Sequence, residues 1–342
     1  MPSVEELRLT RFKSFRGAVL PLRDLTLLIG RNGSGKSNAI DALHVLELLA
    51  AGAAVEDEVR GGLAGCAPYG EASFALGCTV ADGDARVRCD VEVSVADGTV
   101  TGDGLDDPAV AAALRQVFIL DPVPALMRGF VDAGDVELRR HGENISAVVG
   151  ALSGAPWERL AALVRALPEQ QVEGIELETA PDGTVMLALR ERIGDRSVRF
   201  GARVMSDGML RFLAFAAALG TARPGTQLVI EEVENGLHPS QAKEIVRMIK
   251  AESAERGIRT FATTHSPAIL TALDAADHDG VVVCRRDPAT GVSRLARLVD
   301  LPAYPEALAA GTLGDAIVTR RLEAQVDPNA RLAALDDLLA DL

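Results

Sequence analysis

The sequence predicts an α/β fold, and three observations predict it. Apolar runs of strand length recur at Leu25–Ile29, Gln227–Ile230, Ile258–Thr263 and Gly280–Cys284, as suits strands buried in a core. A segment with helical apolar spacing, Asn38–Leu46, follows the first run after a glycine-rich turn. Residues 71–99 alternate instead, in Ala72–Leu76 and Ala85–Val93, with turn residues at Ala81–Asp84 and Ala96–Gly98. That pattern reads as an antiparallel side sheet.

The remaining elements follow in chain order. Glu5–Thr10 alternates as a half-buried strand, and Arg11–Gly17 is expected to turn the chain toward the Leu25 run. Residues 105–170 are rich in Ala and Leu, with Pro122, Pro124 and Pro156 as breakers, and are expected to be mainly helical. Strands are expected at Gly174–Thr179 and Thr184–Arg190, joined through Pro181-Asp182-Gly183. A helix is expected over about residues 207–219, and another starts at Pro239, because proline is tolerated in a first helical turn. The tail, Asn329–Leu342, reads as an acidic amphipathic helix. No internal repeat is visible, and no sustained heptad, so a long coiled coil is not expected.

Composition narrows the classes. The chain has 342 residues, 48% hydrophobic and 25% charged, enough for one large domain or two packed ones. The formal net charge of −14 argues against a broadly basic nucleic-acid binder. Four cysteines, Cys66, Cys78, Cys89 and Cys284, show no metal-ligand spacing and are expected to be buried free thiols of a reducing compartment. The N-terminal residues lack the pattern of a signal peptide, and Met209–Leu219 is too short to span a bilayer, so a cytoplasmic protein is expected.

Gly30-Arg31-Asn32-Gly33-Ser34-Gly35-Lys36-Ser37 reads G-x-x-x-x-G-K-S between the Leu25 strand and the Asn38 helix. This is the phosphate-binding loop in its proper context. Glycines let the backbone turn its amides inward around a phosphate, and the helix N-terminus adds partial positive charge. Lys36 can reach the β- and γ-phosphates, and the Ser37 hydroxyl can ligate Mg²⁺.

Three further stretches carry acidic or anion-binding chemistry. The strand Leu228–Ile230 ends in Glu231-Glu232, where one carboxylate can hold Mg²⁺ and the next can orient the attacking water. A solvated acidic loop is the plain alternative. Met205-Ser206-Asp207-Gly208-Met209 opens a helix whose first amides can bind an anion; taken alone it is an ordinary N-cap. Phe261-Ala262-Thr263-Thr264-His265-Ser266-Pro267 puts a histidine between a buried strand and a proline-initiated helix. Taken alone, such a histidine is structural more often than functional.

The order of these motifs resembles the head of ABC-type ATPases, in their RecF/SMC-like branch. Closer still are compact AAA-type ATPases related to the ATPase parts of the overcoming-lysogenisation-defect nucleases and of the Septu defence ATPase PtuA. The resemblance also rests on Leu7–Phe15, Asp121-Pro122, Gly142–Val149 and Glu234–Pro239, and covers most of residues 1–300. It implies a P-loop NTPase fold with a central mainly parallel sheet, an antiparallel side sheet and a helical subdomain. It divides the chain into an N-terminal lobe (1–104), a mainly helical insert (105–170), a C-terminal lobe (171–300) and a helical tail (301–342).

The resemblance also implies roles. ATP would be bound by Asn32, Gly33, Ser34, Gly35, Lys36, Ser37 and Asn38, with Mg²⁺ on Ser37 and Glu231. Glu232 matches the catalytic glutamate, His265 the switch histidine, and Ser206-Asp207-Gly208 the signature that contacts the γ-phosphate held by another protomer. Glu231 departs from the aspartate usual at its position. Gln116 is a candidate further Mg²⁺ ligand, and Asp41 no more than a helix neighbour. The function implied is an ATP-hydrolysing dimer switch in DNA repair or anti-phage defence. The alternative is a weakly active scaffold that docks a nuclease or toxin effector. A third reading gives Arg11, Lys13, Arg16, Arg139 and Arg140 contacts to DNA phosphates.

Overall fold

In a computed structural model of the chain, residues 1–165, 167 and 171–309 are described. They form two compact units, Met1–Val117 with the chain from Arg259 onward, and Phe118–Ile258. The fold class is as the motifs imply, α/β with a mainly parallel central sheet and antiparallel strands beside it.

The first unit opens with β1 (Ser3–Phe12), β2 (Phe15–Pro21), β3 (Leu25–Ile29), α1 (Lys36–Ala51) and α2 (Gly62–Cys66). It continues through β4 (Ser73–Asp82), β5 (Ala85–Ser94), β6 (Val100–Asp103) and α3 (Pro108–Leu114). The second unit starts within β7 (Val117–Leu120) and contains α4 (Ile145–Ala151), α5 (Gly154–Arg165), β8 (Val172–Thr179), β9 (Val185–Ile193), β10 (Arg196–Gly201), α6 (Asp207–Thr221), β11 (Gln227–Ile230) and α7 (Pro239–Arg256). The chain then returns to the first unit with β12 (Arg259–Thr264), α8 (Pro267–Thr271), β13 (Val281–Arg286), β14 (Ser293–Arg297) and α9 (Tyr304–Ala309).

In the first unit the strands run in the order β6-β5-β4-β1-β2-β14-β13-β3-β12. β3 is parallel to both its neighbours, with Thr264 opposite Ile29 on one side and Val283 opposite Ile29 on the other. Leu27, Leu28, Ile29, Phe261, Ala262 and Val281–Val283 are all buried, which is what a parallel strand covered on both faces requires. β1 pairs antiparallel with β2 and β4, and β4 with β5, so the side sheet read from residues 71–99 extends the same layer through β1. In the second unit β11 neighbours β7, and β8, β9 and β10 make a separate antiparallel sheet.

Several elements differ from expectation. The turn expected over Arg11–Gly17 is a two-residue loop, Lys13-Ser14, with Lys13 at φ 47, and Phe15 already pairs with Phe12 in β2. β7 lies inside the stretch expected to be mainly helical, and β10 and β14 were not anticipated. All three carry polar or short sequences whose place in a sheet is set by a neighbouring strand rather than by their own pattern. The expected tail helix, Asn329–Leu342, lies outside the described residues. All four cysteines are buried free thiols. Among the described residues no helix is long and apolar enough to cross a membrane.

The Gly142–Val149 stretch has a structural role. Asn144, 1% exposed, accepts from the Arg139 amide and donates to the carbonyls of Asp135 and Glu137. Ser146 Oγ accepts from the Leu187 amide at 2.9 Å, fixing α4 to β9.

Candidate functional site

The first unit carries the phosphate loop at the C-terminal ends of its parallel strands. β3 ends at Ile29 and the loop starts at Gly30; His265 follows Thr264, the residue paired with Ile29. Ligands of open α/β sheets bind at such strand ends. Gly30 has φ 157, and a Cβ there would lie 2.2 Å from the Cys284 carbonyl oxygen. Gly35 has φ 115, and a Cβ there would lie 2.4 Å from Ser293 Oγ. Gly33, at φ 78, has open space around it.

Side chains brace the loop from below. Ser293 Oγ donates to the Ser34 carbonyl at 2.6 Å and lies 2.7 Å from Ser14 Oγ. Asn38 Nδ2 donates to Ser14 Oγ at 2.8 Å, tying the first turn of α1 to the β1–β2 loop. Lys36 is buried, its Nζ donating to the carbonyls of Gly30 at 2.7 Å and Arg31 at 3.1 Å. The Ser34 hydroxyl is buried without a hydrogen-bond partner. Ser37 is half-buried at the start of α1, a 16-residue helix. Ser14, Asn38, Lys13, Arg16, Tyr69 and Arg286 line an adjoining cavity of about 300 Å³.

His265 is exposed just after β12. Ser266 beside it caps α8, accepting from the Ala268 amide at 3.2 Å, so the histidine stands on a fixed turn. Asp41 is 3% exposed and accepts from Lys13 Nζ at 2.8 Å and Arg60 at 3.3 Å; it serves α1 packing. Gln116 follows α3, and its Oε1 is buried without a hydrogen-bond partner.

The second unit carries the acidic pair and the helix-opening segment. The buried strand β11 delivers Glu231 and Glu232, both half-buried, at its C-terminal end. Glu232 has φ 49. A glutamate in the left-handed region costs roughly 1–3 kcal/mol, and such residues gather at functional sites. The sequence carries no signal for this strain. Replacing Glu232 by glycine is therefore expected to raise stability by about 1 kcal/mol, read as a higher denaturant midpoint. An unchanged or lower midpoint would show that the backbone there is relaxed.

After Glu232 the chain turns through the Asn235 amide bonded to the Glu232 carbonyl at 2.8 Å, and Gly236 has φ 75. Ser206 caps α6, its Oγ accepting from the Met209 amide at 3.2 Å. Gly208 packs against this turn so closely that a Cβ would lie 2.2 Å from the Gly236 carbonyl oxygen. The structure thus joins the start of α6 to the turn after the acidic pair. Ser206 and Asp207 are exposed while Gly208 is buried, leaving the first turn of α6 open to an incoming group. Sequence reasoning missed two supports: Ser293 beneath the phosphate loop, and Arg128, which bonds the backbone of residues 202–205 and Asp207.

The residues of the phosphate loop suit the phosphates of a nucleoside triphosphate. The loop's left-handed glycines, the unpartnered buried Ser34 hydroxyl and the buried Lys36 amine form an anion cradle at a helix start. Among the described residues no group of three His, Cys, Asp or Glu side chains could hold a metal ion. Mg²⁺ takes one or two protein ligands and fills its shell with water and phosphate oxygens, so it does not require such a group.

Comparison with known proteins agrees with the fold. The chain matches residues of solved heads along nearly all of their lengths. The SMC head domain from Thermotoga maritima is 18% identical, with 86% of this chain and 98% of that one covered at a TM-score of 0.52. An Smc head domain from Pyrococcus furiosus, solved with an extended coiled coil and bound to the C-terminal domain of ScpA, is 16% identical, with 86% and 96% covered and a TM-score of 0.58. The recombination mediator RecF is 11% identical, with 85% and 97% covered and a TM-score of 0.50. No curated protein sequence matches. Residues 25–86 and 131–271, more than half of the chain, match the family described as "AAA domain, putative AbiEii toxin, Type IV TA system". The chain belongs to that AAA-domain family and has the fold of the RecF/SMC-like ABC-type ATPase heads.

Proposed function

We propose that the protein binds and hydrolyses ATP, and that ATP closes two copies into a dimer that hydrolysis opens. The observation that carries this reading is the built phosphate cradle at Gly30–Ser37, with the Lys36 amine already directed to the loop's own carbonyls. Lys36 would exchange those bonds for phosphate oxygens, helped by the amides of Asn32–Ser37. Ser37 and Glu231 would hold Mg²⁺, Glu231 directly or through water. Bound Mg²⁺ supplies charge neutralisation on the β- and γ-phosphates. Glu232 would orient the attacking water and accept its proton, and His265 would hydrogen-bond the γ-phosphate or that water. The cavity beside Asn38 offers room for the rest of the nucleotide.

Ser206–Gly208 would contribute the N-terminal amides of α6 to a γ-phosphate held by a second copy. Contacts made only in the closed pair are what allow ATP to bias the dimerisation equilibrium. Mg²⁺-dependent ATP turnover and ATP-dependent dimerisation by sedimentation test the proposal together. Both are expected in the wild-type protein, and Lys36→Ala is expected to lose both, because each charged hydrogen bond to phosphate is worth about 1.5–3 kcal/mol. Turnover at the wild-type rate in Lys36→Ala would falsify the assignment.

A defence role, with the dimer state governing a nuclease or toxin effector, is favoured over DNA repair. The family's description names a toxin of a toxin–antitoxin system. In addition, Arg11, Lys13, Arg16 and Arg139 each face a carboxylate, of Glu92, Asp41, Glu71 and Asp135 respectively. Cations so engaged are poor candidates for phosphate contacts.

A further inference from the structure

We infer that Arg128 is a positioning residue for the nucleotide reaction, one that sets the start of α6 and cancels the charge of Asp207 there. The inference rests on reading Ser206–Gly208 as the segment that meets a γ-phosphate. Arg128 lies in the loop between β7 and α4, in no motif. Its Nη1 lies 2.9, 3.1 and 2.8 Å from the carbonyl oxygens of Ala202, Arg203 and Met205. Nη1 has two protons for three acceptors, so one proton is shared. Nη2 donates to Asp207 Oδ1 at 2.5 Å. One planar guanidinium thereby fixes the backbone that leads into the helix and the first side chain within it. A second tie crosses the same gap, with the Arg203 guanidinium 5.5 Å from the centre of the Phe130 ring.

The charge on Asp207 is the reason this matters for an anion. Asp207 is the first residue of α6 and its side chain is 68% exposed. A carboxylate in a first turn favours the helix, yet it repels a phosphate approaching the same amides. Arg128, at 26% exposure, is the more enclosed partner and holds that carboxylate in an ion pair. Paired, Asp207 still serves the helix while the amides keep their positive field. Arg128 touches no reacting atom; it acts through the segment that does.

The test uses the full chain as wild type, Arg128→Ala, Arg128→Lys, Asp207→Gly, the double variant Arg128→Ala/Asp207→Gly, and Ser206→Arg. Steady-state ATP turnover and ATP-dependent dimerisation are measured, together with binding of a fluorescent ATP analogue to the monomer at low protein concentration. Arg128→Ala is expected to lower kcat by about tenfold to a hundredfold, the scale of a misplaced catalytic contact, with analogue binding to the monomer unchanged. Arg128→Lys is expected to recover only part of the loss, since an ammonium cannot span the same acceptors in one plane. Removing the carboxylate removes its repulsion, so Arg128→Ala should cost less in the Asp207→Gly background than in the wild type. Wild-type turnover in Arg128→Ala overturns the inference. So does an equal loss in both backgrounds, which would make Arg128 a tie between loops and nothing more. Ser206→Arg separates the two levels: if it turns over normally, the reading of the segment itself fails. If it is inactive while Arg128→Ala is not, the reading stands and only the role of Arg128 falls.

Discussion

Glu232→Gln is expected to lower ATP turnover by about 10²–10⁴-fold, the usual contribution of a positioned general base, while leaving ATP bound. The substitution keeps the length of the side chain and removes its ability to accept a proton. It leaves the phosphate loop itself untouched, because Lys36, Ser34 and the loop glycines lie in the first unit and Glu232 in the second. Its backbone is also undisturbed: glutamine is no worse than glutamate at φ 49, so the turn through Asn235 and Gly236 is retained. Without hydrolysis the closed state is no longer drained, and a dimer stable in ATP should accumulate. Sedimentation with and without Mg-ATP reads this directly. A variant that stays monomeric in ATP and hydrolyses at the wild-type rate would remove Glu232 from its proposed role and return the acidic pair to an ordinary surface turn.

The left-handed Glu232 also illustrates what a sequence reveals and what it hides. The phosphate loop was legible because its chemistry demands fixed residue types at fixed spacing: Gly30, Gly33 and Gly35 stand where left-handed backbone is required, and Lys36 and Ser37 open the helix. The parallel strands were legible because burial on both faces forces apolar runs such as Leu27–Ile29 and Val281–Val283. β14 and β10 were not, because Ser293–Arg297 and Arg196–Gly201 are polar enough to read as loops, and only pairing with β13 and β9 makes them strands. The supports of the site were hidden for a related reason. Ser293 reaches Ser34 across 259 positions, and Arg128 reaches Ala202 across 74. No local pattern marks either one, since each is one polar residue among many until the chain has folded. The phosphate loop thus announces itself by a local rule, while Ser293 and Arg128 do not.

Gly30→Ala is expected to damage the protein more than Gly33→Ala, although both lie in the same loop and both have positive φ. At Gly33 the added methyl meets nothing within 4 Å, and only the backbone preference at φ 78 opposes it, a cost of about 1 kcal/mol. At Gly30 the methyl would lie 2.2 Å from the Cys284 carbonyl oxygen and 2.9 Å from Ser34 Oγ, at φ 157. The carbonyl belongs to β13 and cannot swing aside as a side chain can, so the loop itself must move. Movement there separates Gly30 from Lys36, whose Nζ donates to the Gly30 carbonyl at 2.7 Å. It also disturbs the loop near Ser34, which Ser293 holds at 2.6 Å. Gly30→Ala should therefore lower stability by about 1–3 kcal/mol, the range for overpacked interiors. It should also weaken ATP binding by about 10²-fold, as expected of a displaced contact set. Titration with a fluorescent ATP analogue and denaturant unfolding of both variants make the comparison. Equal losses at the two positions would mean that backbone preference alone governs the loop; a clear excess at Gly30 would show that the wall of β13 shapes the phosphate cradle.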